Sequence, residues 1–113
     1  MSAATGPPAT WGDMGRDVDL AFALAEGRPT GPLADEVRRR LRSYIEQLLV
    51  PAETYAKALE DVRARDIVEK TAEHARALLR DHGGDPATSL RLLGKATYHL
   101  MRYASALRPG PQR

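Results

Sequence analysis

The sequence predicts an all-α fold, a small bundle of four helices in a single domain. Apolar residues recur at intervals of three and four along most of the chain, which is the spacing of an amphipathic helix. No segment alternates between apolar and polar residues as a half-buried strand would. Glycine and proline cluster between the periodic segments and divide the 113 residues into four helices with short connections. A chain of this length forms one domain.

The first helix is predicted over residues 15–26, with Val18, Phe22 and Ala25 on one face. The turn that follows it contains prolines and glycines, and Pro32 is well placed in the first turn of the next helix. Trp11, just before the first helix, is expected to pack onto the bundle as an anchor.

The second helix is the longest, and Pro51 lies inside it. Its apolar stripe keeps the same phase on both sides of the proline, which favours one continuous helix with a kink over two unrelated helices. The stripe consists of Leu33, Val37, Leu41, Tyr44, Ile45, Leu48, Ala52, Tyr55, Leu59 and Val62.

The third helix is predicted to begin near Asp66, which has the spacing of a capping box with Glu69, and to end at His82. Its expected apolar residues are Ile67, Val68, Thr71, Ala75, Leu78 and Leu79. Asp85 followed by Pro86 is a strong helix-start signal, an N-cap side chain before a proline at N1, so the fourth helix is predicted over residues 86–107.

These elements give a helical domain over residues 13–107, preceded by a disordered lead-in at residues 1–12 and followed by a disordered tail at residues 108–113. The core of so short a chain is marginal, which favours either tight self-packing of the helices or a dimer that shares its core, and of these we expect the homodimer. No segment has the apolar length of a membrane span and no export signal precedes the first helix, so we expect a cytoplasmic protein without a membrane partner.

The sequence contains no recognisable catalytic or metal-binding motif. It has no cysteine, and its serines lack the glycine-flanked elbow or the spaced His and Asp partners of a nucleophilic site. His74 and His82 are eight residues apart without a further ligand at metal-site spacing. We therefore predict no catalytic residues, no metal and no cofactor.

The fourth helix presents a basic face formed by Arg91, Lys95, Tyr98 and Arg102, and the helix contains no acidic residue. At 100° per residue these four side chains fall within about 60° of one another, nearly opposite the apolar stripe. A face of one sign suggests an acidic partner surface, such as an acidic helix of a carrier protein. Nucleic acid is a second candidate partner for the same face, although the net charge of only +2 argues against it.

Pairing within the bundle or across a dimer is the alternative use of this face. Glu46, Glu53 and Glu60 recur every seven residues along one edge of the second helix and could pair with the fourth helix, as e and g positions do.

A second basic cluster consists of Arg38, Arg39, Arg40 and Arg42 on the second helix. Acidic residues lie three or four positions away from these arginines, with Glu46 expected to pair with Arg42. A self-compensated, solvated helix face is the preferred interpretation.

A third candidate function is a small-molecule pocket or minor enzyme inside the bundle. Its polar contacts would be Tyr44, Tyr55, His99 and Tyr103.

Two segments resemble a known family: residues 41–53, LRSYIEQLLVPAE, and residues 87–101, ATSLRLLGKATYHLM. They are similar to small helical proteins of unknown function labelled as natural product biosynthesis proteins, which occur in filamentous GC-rich bacteria. The resemblance spans residues 17–107. It implies an accessory role beside a biosynthetic or regulatory protein, and it brings no catalytic residues. From residues and resemblance together we expect a non-enzymatic interaction protein.

Overall fold

The computed structural model describes residues 10–81 and 84–107, and these residues form four α-helices. The helices are α1 (Trp11–Gly27), α2 (Pro32–Ala58), α3 (Val62–Arg80) and α4 (Pro86–Leu107). The predicted all-α fold of four helices is confirmed. Of the ends predicted to be disordered, residues 1–9 and 108–113 lie outside the described residues, and so does His82, the predicted end of the third helix. Residues 11 and 12 of the predicted lead-in belong to α1.

Helix α1 begins at Trp11, four residues earlier than predicted, because Thr10 forms a capping box with Asp13. The Thr10 hydroxyl accepts a hydrogen bond from the Asp13 amide at 3.0 Å, and the Asp13 carboxylate accepts one from the Thr10 amide at 3.0 Å. Two amides at the helix start are thereby satisfied. Trp11 packs against the core, as expected for an anchor.

Helix α2 is continuous through Pro51, as the preserved phase of its apolar stripe predicts. The kink at Pro51 stays a prediction. Gly31 precedes the helix with φ of 106°, a left-handed conformation that suits glycine, and Pro32 occupies the first turn. The helix ends at Ala58, so the predicted continuation of the stripe to Leu59 and Val62 is wrong.

Helix α3 begins at Val62, because the Asp61 side chain caps it by accepting a hydrogen bond from the Arg63 amide at 3.1 Å. The start predicted near Asp66 is therefore too late by about one turn. The buried residues of α3 are small, namely Val68, Ala72 and Ala75. Ile67, predicted to be apolar core, is 54% exposed.

Helices α2 and α4 form the central pair, and α1 and α3 each pack against both of them. Within the described residues α1 and α3 do not contact each other, so they flank the central pair on opposite sides. The predicted stripe of α4 faces inward: Leu90, Leu93, Thr97, Leu100 and Ala104 are buried. The side chain of Leu107 lies outside the description.

Gly94 allows the close approach of α1 to α4. A Cβ atom placed at Gly94 would lie 3.3 Å from Cε1 of Phe22, so the Phe22 ring occupies the space that a larger residue would fill. Phe22 is consequently 38% exposed at the edge of the α1–α4 contact, although the apolar pattern predicts it on the buried face. Leu33, at the start of the predicted stripe of α2, is also exposed.

Candidate functional site

The basic face of α4, formed by Arg91, Lys95, Tyr98 and Arg102, points away from the core. All four side chains are exposed. Helix geometry places them between the flank that contacts α1 and the flank that contacts α3, opposite the buried stripe. The structure thus brings the four predicted partner-binding residues together on one open surface.

Two cations of the basic face have no carboxylate partner among the described residues, namely Lys95 and Arg102. The Arg102 guanidinium lies 5.9 Å from the centre of the Tyr98 ring, a cation–π contact that leaves its N–H groups available for other partners. Arg91 contacts Glu26 of α1 at 3.2 Å, but both side chains are well exposed. Such surface pairs contribute little and exchange readily with an external carboxylate.

The glutamates expected to neutralise this face lie elsewhere. Glu53 pairs with Arg76 of α3, and the hydrogen bond from Arg76 lowers the pKa of Glu53 below its ordinary value. Glu46 is exposed on α2, and Glu60 lies beyond the end of that helix. Pairing of these three with α4 inside the bundle is therefore not found in the described part of the chain, and the acid that reaches α4 comes from α1.

A groove of about 340 Å³ lies between α3 and α4, beside the basic face. It is lined by Lys70, Thr71, His74, Leu92, Lys95, Ala96 and His99. These seven residues, which we call the α3–α4 groove, include two lysines, two histidines and no carboxylate. Lys95 belongs both to the groove and to the basic face, so the two surfaces are continuous.

The electrostatics of the groove are those of a cationic site. Partial burial lowers the pKa of His99 below its ordinary value, and the nearby charges of Lys95 and Arg102 lower it further. The neutral form of the His99 imidazole is therefore favoured while no anion lies in the groove. Lys70 lies 3.6 Å from Asp66, with both side chains exposed, so this pair neutralises little of the positive charge.

The arginine cluster of α2 holds the bundle together and is only partly the solvated face that the sequence predicts. Arg38 donates to the carbonyls of Pro29 and Pro86 at 2.6 and 2.9 Å. Arg42 donates to the carbonyls of Leu78 and Asp81 at 2.9 and 3.1 Å, which satisfies the carboxyl end of α3. The predicted pairing of Arg42 with Glu46 is therefore wrong.

Three arginines of the cluster pair with acids nearby, and Arg38, 3.1 Å from Asp35, is one of them. Arg39 pairs with Glu36, and Arg40 pairs with Glu36 and with Asp17 of α1. Their pKa values are raised, chiefly by the hydrogen bonds to Glu36 and to Asp17 respectively. Arg38, Arg40 and Arg42 are thus committed to contacts within the chain, whereas Arg39 is 71% exposed in a surface pair.

The four candidate ligand contacts inside the bundle are in three different places. Tyr44 is buried and donates to the Asp17 carboxylate at 2.5 Å. Tyr55 and Tyr103 stack with ring centres 6.0 Å apart. His99 lines the α3–α4 groove, where none of the three tyrosines lies. The structure therefore does not bring the four together around one cavity.

No group of three or more His, Asp or Glu side chains is arranged to hold a metal ion within residues 10–81 and 84–107. No helix in this part of the chain is long and apolar enough to cross a membrane.

Comparison with known proteins assigns the chain to a family. A family model described as a family of unknown function, DUF6415, matches residues 12–109. The chain belongs to this family. No curated protein and no solved structure was found to match it. The family match covers the domain predicted from the sequence and says nothing about natural product biosynthesis, which stays a prediction for this DUF6415 member.

The α3 wall of the groove is the part of the site that sequence reasoning misses in this DUF6415 chain. His74 follows Lys70 by four residues and Thr71 by three, and on α4 His99 follows Lys95 by four and Ala96 by three. The short connection between α3 and α4 makes the two helices adjacent and antiparallel. Comparing the residue spacing on α3 with that on α4, given that the two helices are neighbours, would have predicted the groove from the sequence.

Proposed function

We propose that this DUF6415 chain is a non-enzymatic helical accessory protein that binds an acidic surface of a partner protein through the basic face of α4. The observation that carries the proposal is the set of exposed cations on that face, two of which have no acidic partner among residues 10–81 and 84–107. Complementary charge across an interface speeds encounter and selects the partner. The other basic cluster supports the same choice of face, because three of its four arginines are committed to contacts within the chain.

We further propose a cellular location, an oligomeric state and a class of partner for this protein. We place it in the cytoplasm, as a homodimer, in support of a biosynthetic or regulatory partner. The resemblance to proteins labelled with natural product biosynthesis supports this setting. Sedimentation equilibrium of the purified chain tests the dimer, because a monomer at micromolar concentration would remove that part of the proposal.

The decisive experiment is a pull-down from the lysate of the native cell, with and without nuclease. The test variant reverses three charges of the basic face, Arg91→Glu, Lys95→Glu and Arg102→Glu. We expect one protein to be recovered by the wild-type chain in the presence of nuclease, and its recovery to fall at least tenfold with the variant. Circular dichroism establishes that the variant remains helical, as expected for changes at exposed positions.

The matched control reverses three exposed charges on α2 and in the last turn of α3, Arg39→Glu, Lys57→Glu and Arg80→Glu, with the same change in net charge. Recovery should be close to that of the wild-type chain. Equal recovery with both variants and the wild type would refute the assignment of the face. Recovery that vanishes with nuclease would identify nucleic acid as the partner, and it should then weaken steeply with salt.

A further inference from the structure

The lining of the α3–α4 groove follows the periodicity of its two helices, which are in contact. Helix α4 lines the groove with residues at i, i+3, i+4 and i+7, and α3 lines it with residues at i, i+1 and i+4. On α4 the ridge is Leu92, Lys95, Ala96 and His99, and on α3 Ile67 extends the ridge of Lys70, Thr71 and His74 by one turn. A groove between two ridges of this spacing accepts the ridge of another helix.

The floor of the groove is suited to apolar side chains. Ala96 is buried and Leu92 is 36% exposed. The Thr71 hydroxyl already donates to the Ile67 carbonyl at 2.9 Å, so it does not require a polar partner from outside. An apolar side chain placed on this floor would displace water without leaving a donor of Thr71 unsatisfied.

One lysine stands on each side of the groove, and the one on α3, Lys70, also contacts Asp66 of its own helix at 3.6 Å in an exposed pair. Lys70 on α3 lies ten residues before the end of its helix, and Lys95 on α4 lies nine residues after the start of its own. At a rise of about 1.5 Å per residue, the two lysines stand at nearly the same height on opposite walls. No carboxylate lines the space between them.

We propose that the α3–α4 groove binds an acidic amphipathic helix of the partner protein, with its apolar residues on Leu92 and its carboxylates beside Lys70 and Lys95. This inference rests on the proposed function and specifies the partner's chemistry. Charge complementarity selects the occupant: a helix with carboxylates on both sides of an apolar stripe matches an apolar floor between two cationic walls. The continuity of the groove with the basic face allows Arg102 to contact the same helix.

The test uses a synthetic peptide as the probe. It is a fluorescein-labelled, acetylated and amidated peptide of 18 residues, with leucine at the i, i+3, i+4 and i+7 positions and glutamate on both sides of that stripe. Two control peptides have lysine in place of glutamate, or the same composition in scrambled order. Fluorescence anisotropy measures the binding of each peptide to the full chain. We expect the acidic amphipathic peptide to bind at least tenfold more tightly than either control.

Variants of the chain then locate the peptide. Lys70→Glu changes the groove without touching the basic face, and we expect it to weaken binding at least fivefold. Leu92→Gln should weaken binding about threefold or more by making the floor polar. Leu33→Gln is the matched control, because Leu33 is another exposed leucine and lies on α2. It should leave the affinity unchanged.

The outcomes separate the groove from the proposed function. If Arg91→Glu with Arg102→Glu abolishes binding while Lys70→Glu and Leu92→Gln have no effect, the groove is the wrong site and the basic face stands. If the lysine peptide binds as well as the acidic peptide, charge complementarity fails and both proposals are overturned. If the scrambled peptide binds equally well, the partner segment is acidic but not an amphipathic helix, and the inference fails. Absence of binding by all three peptides also overturns it.

Discussion

Asp17 is a buried carboxylate at the contact between α1 and α2, and its removal should destabilise the fold strongly. It accepts hydrogen bonds from the Tyr44 hydroxyl at 2.5 Å and from the Arg40 guanidinium at 3.0 and 3.2 Å. Asp17 is 8% exposed and Tyr44 is 6% exposed, so water replaces neither partner easily. The perturbation we consider is Asp17→Ala, alone and combined with Tyr44→Phe.

The magnitude follows from what each change leaves behind. Asp17→Ala leaves the buried Tyr44 hydroxyl without its acceptor, which costs about 1–3 kcal/mol. Arg40 keeps Glu36 and is one-third exposed, so the loss of its partner adds only about 0.5–1 kcal/mol. The helix propensity of alanine returns roughly 0.5 kcal/mol. We therefore expect Asp17→Ala to lower the free energy of unfolding by about 1–3.5 kcal/mol.

Tyr44→Phe should cost only about 1 kcal/mol, because the carboxylate keeps both Arg40 hydrogen bonds. In the Asp17→Ala background the same change removes an unsatisfied hydroxyl, so it should be neutral or stabilising. Urea unfolding of the four chains measures this double-mutant cycle, with a coupling energy of about 1–2 kcal/mol expected between the two sites. If Tyr44→Phe costs the same in both backgrounds, the two side chains are not coupled and the reasoning is wrong.

The same cluster predicts a loss of stability at alkaline pH. Burial and the hydrogen bond to Asp17 raise the pKa of Tyr44 to about 12, whereas an unfolded tyrosine has a pKa of about 10. A group whose pKa is raised by folding contributes stability that is complete below pH 10 and is lost as the pH rises toward 12. The difference in unfolding free energy between the wild type and Tyr44→Phe should shrink over this window. A constant difference from pH 8 to pH 11.5 would contradict the assignment.

Three further predictions concern the packing and the groove. Gly94→Val should lower the free energy of unfolding by about 1–3 kcal/mol, because it overpacks the α1–α4 contact; Gly15→Ala, in open space, should raise it by about 0.5–1 kcal/mol. Changes in unfolding free energy of the same sign for Gly94→Val and Gly15→Ala would contradict this reasoning. Arg42→Gln should speed amide hydrogen exchange in the last turn of α3 about tenfold and leave α1 unchanged, since the carbonyls at that end lose their donor. Lys95→Gln should raise the pKa of His99 in an NMR titration, and an unchanged or lower value would contradict the electrostatics of the groove.

The number of helices was predictable because the apolar spacing and the proline and glycine connections point to the same answer. Asp85 shows a start signal that is sufficient by itself: its carboxylate accepts from the Thr88 amide and hydroxyl, both at 2.9 Å. The spacing to Glu69 indicates Asp66 as the cap of the third helix and misses Asp61, which is the cap. The stripe of α2 continues past Leu59 in the sequence only because the next helix starts with apolar Val62, so the boundary between α2 and α3 was misplaced.

The candidate site was only partly predictable for a different reason. The basic face lies on one helix, and helix periodicity alone places its residues together. The α3–α4 groove requires knowing which helices are adjacent, and the pairing of Arg91 with Glu26 requires knowing that α1 flanks α4. The commitment of Arg42 to the end of α3 depends on contacts 36 to 39 residues away in sequence, which spacing within one helix cannot reveal.

Helix α3 contributes only small side chains to the fully buried core. These are Val68, Ala72 and Ala75, with Leu78 and Leu79 packed against the core nearer its carboxyl end, and within the described residues α3 touches α2 and α4 but not α1. Outward displacement of α3 by a fraction of an ångström would break few dispersion contacts and would leave the three-helix remainder packed. The width of the space beside α4 is therefore adjustable, so side chains of different size can be accommodated there at small energetic cost. A partner segment that packs tightly in the α3–α4 groove would oppose the outward displacement of α3. Binding would then be coupled to the local stability of this one helix.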